Sequence, residues 1–341
     1  MKTLNELLKQ AIAIRASDII FTVGVPICYR VNGSYGSIDK EVLKPEDTER
    51  YVKEILGDEQ FERLLRDKEL DTTIRVNGYN FRVGAYTQKG SLSASLRILS
   101  NRIKSFEELG LPKGLEDMCQ NESGLFLITG TTGSGKSTTM ASMIEYINEH
   151  RSGHIITIED PIEFIFTSKK CIIDQKELGK DTLSYANSLK SVLREDPDII
   201  AIGEMRSPET IASAITCAET GHLVISTLHT SNVAGTVSRI IDAFDPSMQA
   251  QIRTQLSMSL CGVISQKLLP SASGVGRVVL YEYAPFTQSL KALIRTGKTH
   301  LIEGQIEIGK ADGMISYQKT LNSLYDSGQI TKEVYDLNTM I

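Results

Sequence analysis

Tryptophan is absent from the 341 residues, and aromatic side chains make up only 6% of them. A surface that stacks unpaired bases needs aromatic faces, so this composition argues against single-stranded nucleic acid. A basic excess is missing as well: 37 Lys and Arg stand against 42 Asp and Glu, a formal net charge of -5. Binding along a phosphate backbone is driven by counterion release and calls for a basic face, so no nucleic-acid partner is expected. Cys28, Cys119, Cys171, Cys217 and Cys261 are scattered, with no CxxC pair among them. That spacing excludes a zinc ribbon and offers no disulfide framework. The thiols read as small buried hydrophobes in a reducing compartment. No run approaches the ~18 apolar residues of a membrane span. Near the N-terminus, Leu4, Leu7, Leu8, Ala11 and Ile12 form a helical stripe interrupted by Glu6 and Lys9, which is not a signal-peptide profile. A cytoplasmic protein is expected, with any membrane role reached through a partner.

What is present is an ordinary globular supply, 41% hydrophobic and 23% charged, on a chain long enough for two domains. Residues 1–99 read as a small α+β domain. Ile19 to Val23, Ile27 to Val31, Thr72 to Val76, Asn80 to Tyr86 and Ser91 to Ile98 alternate or cluster as strands do, with Asn32-Gly33 and Asn77-Gly78 as tight turns. Helices are expected over Pro45 to Leu56 and Glu59 to Arg66. Residues 100–113 read as a linker. Across 114–341 the pattern becomes apolar strands alternating with helices. The strands are Leu125 to Thr129, His154 to Ile158, Ile199 to Ile202, Leu223 to Thr227 and Arg277 to Tyr281. The helices are Lys136 to Glu149, Thr182 to Arg194, and Pro208 to Glu219 capped by Ser207. Such alternation predicts an α/β fold with a parallel sheet covered on both faces. From about Met248 onward the chain reads as mostly helical.

Gly130-Thr131-Thr132-Gly133-Ser134-Gly135-Lys136-Ser137, followed by Thr138, matches G-x-x-x-x-G-K-[ST] in full. An apolar strand precedes it and an amphipathic helix follows. Glycines let successive N–H groups turn inward around phosphate oxygens, and the helix directs its positive end at the same anion. Lys136 can reach the β- and γ-phosphates, and the Ser137 hydroxyl can ligate Mg²⁺. A turn that merely joined strand to helix would need neither residue there.

Asp198 to Glu204 is a buried-strand run ending in a carboxylate, although Gly203 occupies the place of the acid that ordinarily precedes it. At the carboxyl edge of a sheet such a group can orient or deprotonate water, or hold Mg²⁺ through water. A solvated strand end is the plain alternative. Ile156 to Glu163 is a second strand ending in acids, and an ordinary charged loop is the alternative there. His222 and His229 flank one apolar strand, without the spacing of a metal site on a helix. They could sense a γ-phosphate or serve structure alone.

Taken together, these segments resemble the secretion ATPase superfamily, and within it the PilT-type ATPases that retract type IV pili. Gly130 to Thr138 is similar to that family's Walker A, Ile156 to Phe164 to its Asp box, Asp196 to Arg206 to its Walker B, and Thr220 to Ser231 to its His box, all in the family's order. The resemblance implies a RecA-like P-loop ATPase domain behind a smaller PAS-like α+β domain, and a homohexameric ring turning over ATP with Mg²⁺. It implies Glu204 as the catalytic glutamate, Glu163 as its acidic partner, and His222 and His229 as the His-box residues. Ala16 to Ile19, Phe81 to Val83 and Ser95 to Arg97 resemble N-terminal segments of the family, which makes Arg82 and Arg97 candidates to neutralise charge on the transferring phosphoryl group. A platform protein of the inner membrane would be the partner, with the ring peripheral at the inner face of that membrane.

The chain departs from the family pattern at Ile20, Thr131 and Ser207, and Ser289 to Thr296 keeps only part of the retraction signature. A related type II or type IV secretion or pilus-assembly ATPase is therefore the alternative. Assembly enzymes are longer and often carry a four-cysteine zinc motif that is absent here. A slow nucleotide-gated regulator and a DNA motor are the other classes, separable by turnover and by stimulation with DNA.

Overall fold

The computed structural model describes residues 2–31, 33–38, 40–76, 78–99 and 102–339. Asn32 and Asn77 of the two expected turns, and Ser100 and Asn101 of the expected linker, lie outside the described residues. The chain forms two compact units. One is Met1–Arg102 together with Pro161–Ile165, and the other is Ile103–Asp160 together with Phe166–Ile341.

The first unit begins with α1 (Leu4–Ala13), which buries Leu4, Leu7, Leu8 and Ala11 behind a capping box of Thr3 and Glu6. Its antiparallel sheet holds β1 (Asp18–Phe21), β2 (Cys28–Val31), β3 (Ser34–Gly36), β4 (Glu69–Val76), β5 (Tyr79–Gln88) and β6 (Ser91–Leu99) in the order β3-β2-β1-β6-β5-β4. Between β3 and β4 runs α2 (Pro45–Asp67), broken at Gly57, whose φ of 72° is left-handed. The two expected helices are its two halves. Strict alternation sorts the strand residues. Phe81, Val83 and Ala85 of β5 and Leu92, Ala94 and Leu96 of β6 are buried in one core. Arg82, Gly84, Ser95 and Arg97 therefore take the other face.

The second unit carries, in chain order, α3 (Phe106–Leu109), α4 (Gly114–Cys119), β7 (Gly124–Thr129), α5 (Lys136–His150), β8 (Gly153–Glu159), β9 (Cys171–Glu177), α6 (Tyr185–Val192), β10 (Ile199–Ile202), α7 (Pro208–Glu219), β11 (Leu223–Leu228), α8 (Val233–Asp242), α9 (Pro246–Ser259), β12 (Leu260–Pro270), β13 (Arg277–Pro285), α10 (Gln288–Arg295), α11 (Ile302–Ile308), α12 (Tyr317–Asp326) and α13 (Lys332–Asn338). Seven strands form one sheet in the order β13-β12-β7-β11-β10-β8-β9, parallel throughout except at β13. Every residue of β7, β10 and β11 is buried. Leu125, Leu127, Ile200, Ile202 and Val224 enter the core on one face, and Phe126, Ile128, Ile199, Ala201 and Ile225 the core on the other. That two-sided burial is why these strands are continuous apolar runs.

The expectation of mostly helix from about Met248 onward fails over Leu260–Pro270, whereas the strand expected over Arg277 to Tyr281 is present and extends to Pro285. These two segments are β12 and β13, with β12 paired to the central strand β7. Burial on both faces makes Cys261 to Ser265 nearly as apolar as a buried helix, and a short apolar run does not by itself distinguish the two. Strands β3 and β9 were likewise not anticipated. All five cysteines are free thiols, and burial pushes Cys217 and Cys261 up to about 11.

Candidate active site

Parallel register aligns the carboxyl ends of four strands. Ile158 of β8 stands beside Ile202 of β10, Ile202 beside Ser226 of β11, and Ser226 beside Leu127 of β7. The segments that leave these strands, at Glu159, Gly203, His229 and Gly130, emerge at one edge of the sheet. Ligands of open α/β sheets bind at such an edge.

The loop from Gly130 to Gly135 leaves β7 and feeds α5. Gly133 (φ 78°) and Gly135 (φ 93°) are left-handed, as a loop that turns its amides inward requires. Gly130 (φ 143°) lies so close to β12 that a Cβ would run into the Gln266 carbonyl and the Ser134 hydroxyl. Gly135 is the N-cap of the 15-residue α5, no side chain caps that end, and its first turn has no acid. The positive pole is thus left to an incoming anion. Ser134 Oγ is buried with no hydrogen-bond partner. Lys136 is buried, and its Nζ donates to the carbonyls of Gly130 (2.8 Å) and Thr131 (3.0 Å), which keeps the ammonium over the loop. Ser137 and Thr138 are half-buried in the first turn of α5, and Thr131 and Thr132 are exposed. The cradle, the uncapped helix and the buried cation together fit a polyphosphate.

Sequence reasoning missed Gln266, which holds this loop. Its Oε1 accepts from the Thr139 hydroxyl at 2.9 Å, and its Nε2 donates to the Ser134 carbonyl at 2.8 Å. Arg277 of β13 also donates to the Gly133 carbonyl at 3.4 Å. Gln266 lies in a stretch read as helix and Arg277 on an expected strand whose pairing was not known, so neither could be placed beside the loop from pattern alone.

Glu204 follows β10 after one residue, with its side chain 14% exposed. Arg206 Nη2 lies 2.6 Å from one carboxylate oxygen and His229 Nε2 3.3 Å from the other. The structure thus joins Walker-B-like and His-box-like segments at a single carboxylate. Nearby, Glu159 accepts from Thr157 Oγ1 at 2.6 Å and from Gln175 Nε2 at 3.1 Å.

His222 requires a correction. It precedes β11 at the amino end, where the Gly124 amide donates to its carbonyl and its Nδ1 lies 2.9 Å from the Cys217 carbonyl. The phosphate loop leaves from the opposite edge of the sheet. At about 3.3 Å per residue, the length of β11 places the two roughly 20 Å apart. Its ring serves the end of α7, so it does not line the loop of its own chain.

In the first unit, Arg82 and Arg97 stand directly opposite each other on β5 and β6. Like charges so placed repel. Asp71 pairs with Arg82, and Glu163, from the segment that packs with this unit, lies 3.5 Å from the same guanidinium. Arg97 Nε donates to the nearly buried Asp18 at 2.9 Å. Glu163 therefore meets an arginine here, and Glu204 has other partners.

Comparison with known proteins adds to this geometry. The family model described as "Type II/IV secretion system protein" matches residues 1–324. The chain is 43% identical over 327 residues to a "Twitching motility protein" of Neisseria gonorrhoeae, covering 94% of this chain and 87% of that protein. It is 40% identical over 331 residues to the "Type IV pilus retractation ATPase PilT" of Pseudomonas aeruginosa, covering 97% and 96%. Among solved structures, that of the pilus retraction motor PilT with bound ADP superposes with a TM-score of 0.92 at 42% identity, covering 98% of this chain and 96% of that one.

Proposed function

The chain belongs to the type II/IV secretion system protein family, and we propose that within it this is the ATP-hydrolysing motor that retracts type IV pili. It is an α/β protein with a RecA-like P-loop ATPase unit and a smaller α+β PAS-like unit. The observation that carries the enzymatic reading is the phosphate loop with Lys136 inside it, on the strand edge that also presents Glu204. The assignment to retraction is supported by near-full-length similarity to retraction ATPases.

In this reading the loop amides and Lys136 bind the phosphates of ATP. Ser137 would hold Mg²⁺, which supplies charge neutralisation between phosphates when bound. Glu204 orients the attacking water and accepts its proton. His229 and Arg206 hold that carboxylate in place. As Arg206 is 76% exposed, it can swing away without repacking the core. Arg82 and Arg97 would act on the nucleotide of a neighbouring subunit in a homohexamer. The functional domains would run 1–99 and 114–341, with 100–113 as the linker. Among the described residues no helix is long and apolar enough to cross a membrane, so engagement of a platform protein would place the ring at the inner face of the membrane.

The test is Mg²⁺-dependent ATP turnover and nucleotide binding by the purified protein. Lys136→Ala should abolish binding, and unchanged nucleotide affinity in that variant would remove the assignment.

A further inference from the structure

Gly203 is not glycine for want of a left-handed backbone, because its φ is not positive. Space is the reason. A Cβ there would lie 2.9 Å from the hydroxyl oxygen of Tyr185, 3.3 Å from the Ile158 carbonyl and 3.4 Å from Glu159 Cα. The backbone cannot move aside, since the Gly203 amide donates to the Ile158 carbonyl at 2.8 Å and its carbonyl accepts from Thr227 Oγ1 at 2.6 Å. A phenolic oxygen thus occupies the space a side chain at 203 would fill, one residue before Glu204.

Tyr185 is held there. It opens α6, whose N-cap Ser184 accepts from the Asn187 amide at 3.1 Å, and it packs on the core beneath the sheet. Burial, and after it the charges of Asp160, Glu204 and Glu159, push the phenol's ionisation well up against the opposing pull of Arg206. It stays a neutral O–H donor among carboxylates.

We propose that Tyr185 is a positioning residue for ATP hydrolysis: its hydroxyl takes the place of the acid that ordinarily precedes the catalytic glutamate of a Walker B strand, and in the nucleotide-bound state it donates a hydrogen bond into the acidic edge beside Gly203. The proposal rests on the ATPase reading above. A neutral donor at this point orders the carboxylates and their water without adding a further negative charge beside a polyphosphate. Gly203 is then the complement of Tyr185, since the pair shares one volume.

A cycle of Tyr185→Phe and Gly203→Ala in the full chain tests this. Tyr185→Phe should lower kcat by about tenfold, the scale of one hydrogen bond to a charged group, with the KM for ATP and the melting temperature unchanged. Gly203→Ala alone should lower both melting temperature and turnover. In the Tyr185→Phe background it should cost much less, because the methyl enters the space the oxygen has left. Full kcat in Tyr185→Phe overturns the positioning role, and an equal cost of Gly203→Ala in both backgrounds overturns the shared volume. Absence of turnover in the unmodified protein would overturn the ATPase reading and the role resting on it. The melting cycle would still decide the shared volume.

Discussion

Glu204 is held by Arg206 and His229 just past the end of a fully buried strand, and in the proposed reaction its carboxylate orients water. Glu204→Gln keeps the shape and cannot accept a proton. That variant should bind ATP normally and lose at least ~10²-fold in turnover, measured by phosphate release. Turnover near that of the unmodified protein would shift the role to another acid. Gln266 makes a different kind of contribution, since both ends of its amide are spent on the loop and on Thr139. Gln266→Ala leaves the Ser134 carbonyl and the Thr139 hydroxyl without these partners, at a cost of about 1–3 kcal/mol. ATP affinity should fall along with the melting temperature, and an unchanged affinity would mean that the loop holds its shape without this side chain. Glu204 was legible because its strand is local and apolar. Gln266 was not, because its importance lies in a contact across 132 residues of sequence.

At the scale of elements, α8 starts against a buried acid. Glu282 of β13 accepts from the Val233 amide at 2.7 Å, and this strand thereby holds the helix that follows the His229 segment. Burial, opposed by that hydrogen bond and reinforced by Glu303 and Glu307, raises its ionisation from 4.5 to about 7. The native state then keeps its proton over a range in which the unfolded chain has lost it. Stability contributed by this group is full below about pH 4.5, falls as pH rises, and is gone above about 7. Glu282→Gln can still accept from Val233 and carries no charge. Its melting temperature should match that of the unmodified protein near pH 4.5 and exceed it at pH 8, by roughly 2–4 °C per kcal/mol relieved. A lower melting temperature at pH 8 would mean that the charged form stabilises α8. Glu282 lies just past the strand expected over Arg277 to Tyr281, and its hairpin partner β12 is the element the sequence pattern misassigned. A short run with an apolar centre, such as Cys261 to Ser265, leaves helix and strand undecided until a partner strand is known.

At the scale of the whole molecule, Arg82 and Arg97 are satisfied by acids of their own unit, by Asp71, Glu163 and Asp18. An arginine that acts on a neighbour's nucleotide must first leave such partners, which would couple hydrolysis to assembly. The active form should be a homohexamer, and an arginine finger is commonly worth ~10³–10⁵ in rate. Two inactive variants, Glu204→Gln and Arg82→Ala/Arg97→Ala, should regain turnover when mixed, at interfaces that pair an intact glutamate with intact arginines. Mixed rings that form and stay inactive, or a fully active monomer, would show the arginines to be structural.

Much of this protein is written locally. The glycines, Lys136 and Ser137 of the phosphate loop lie within eight residues between an apolar strand and a helix, so both loop shape and anion chemistry follow from short-range constraints. The alternation of β5 and β6 likewise placed Arg82 and Arg97 on the face opposite the core. Pairing decided the rest. Which end of β11 faces the phosphate loop separates His229 from His222, and that depends on parallel register with β7 rather than on either histidine's neighbours. The insertion of β12 beside β7 brought Gln266 under the loop, and the packing of α6 on the sheet set a tyrosine hydroxyl where residue 203 has no side chain. Sequence specifies dihedral preferences and the side on which a residue is buried. Distances between segments far apart in the chain exist only once strands have paired and layers have packed.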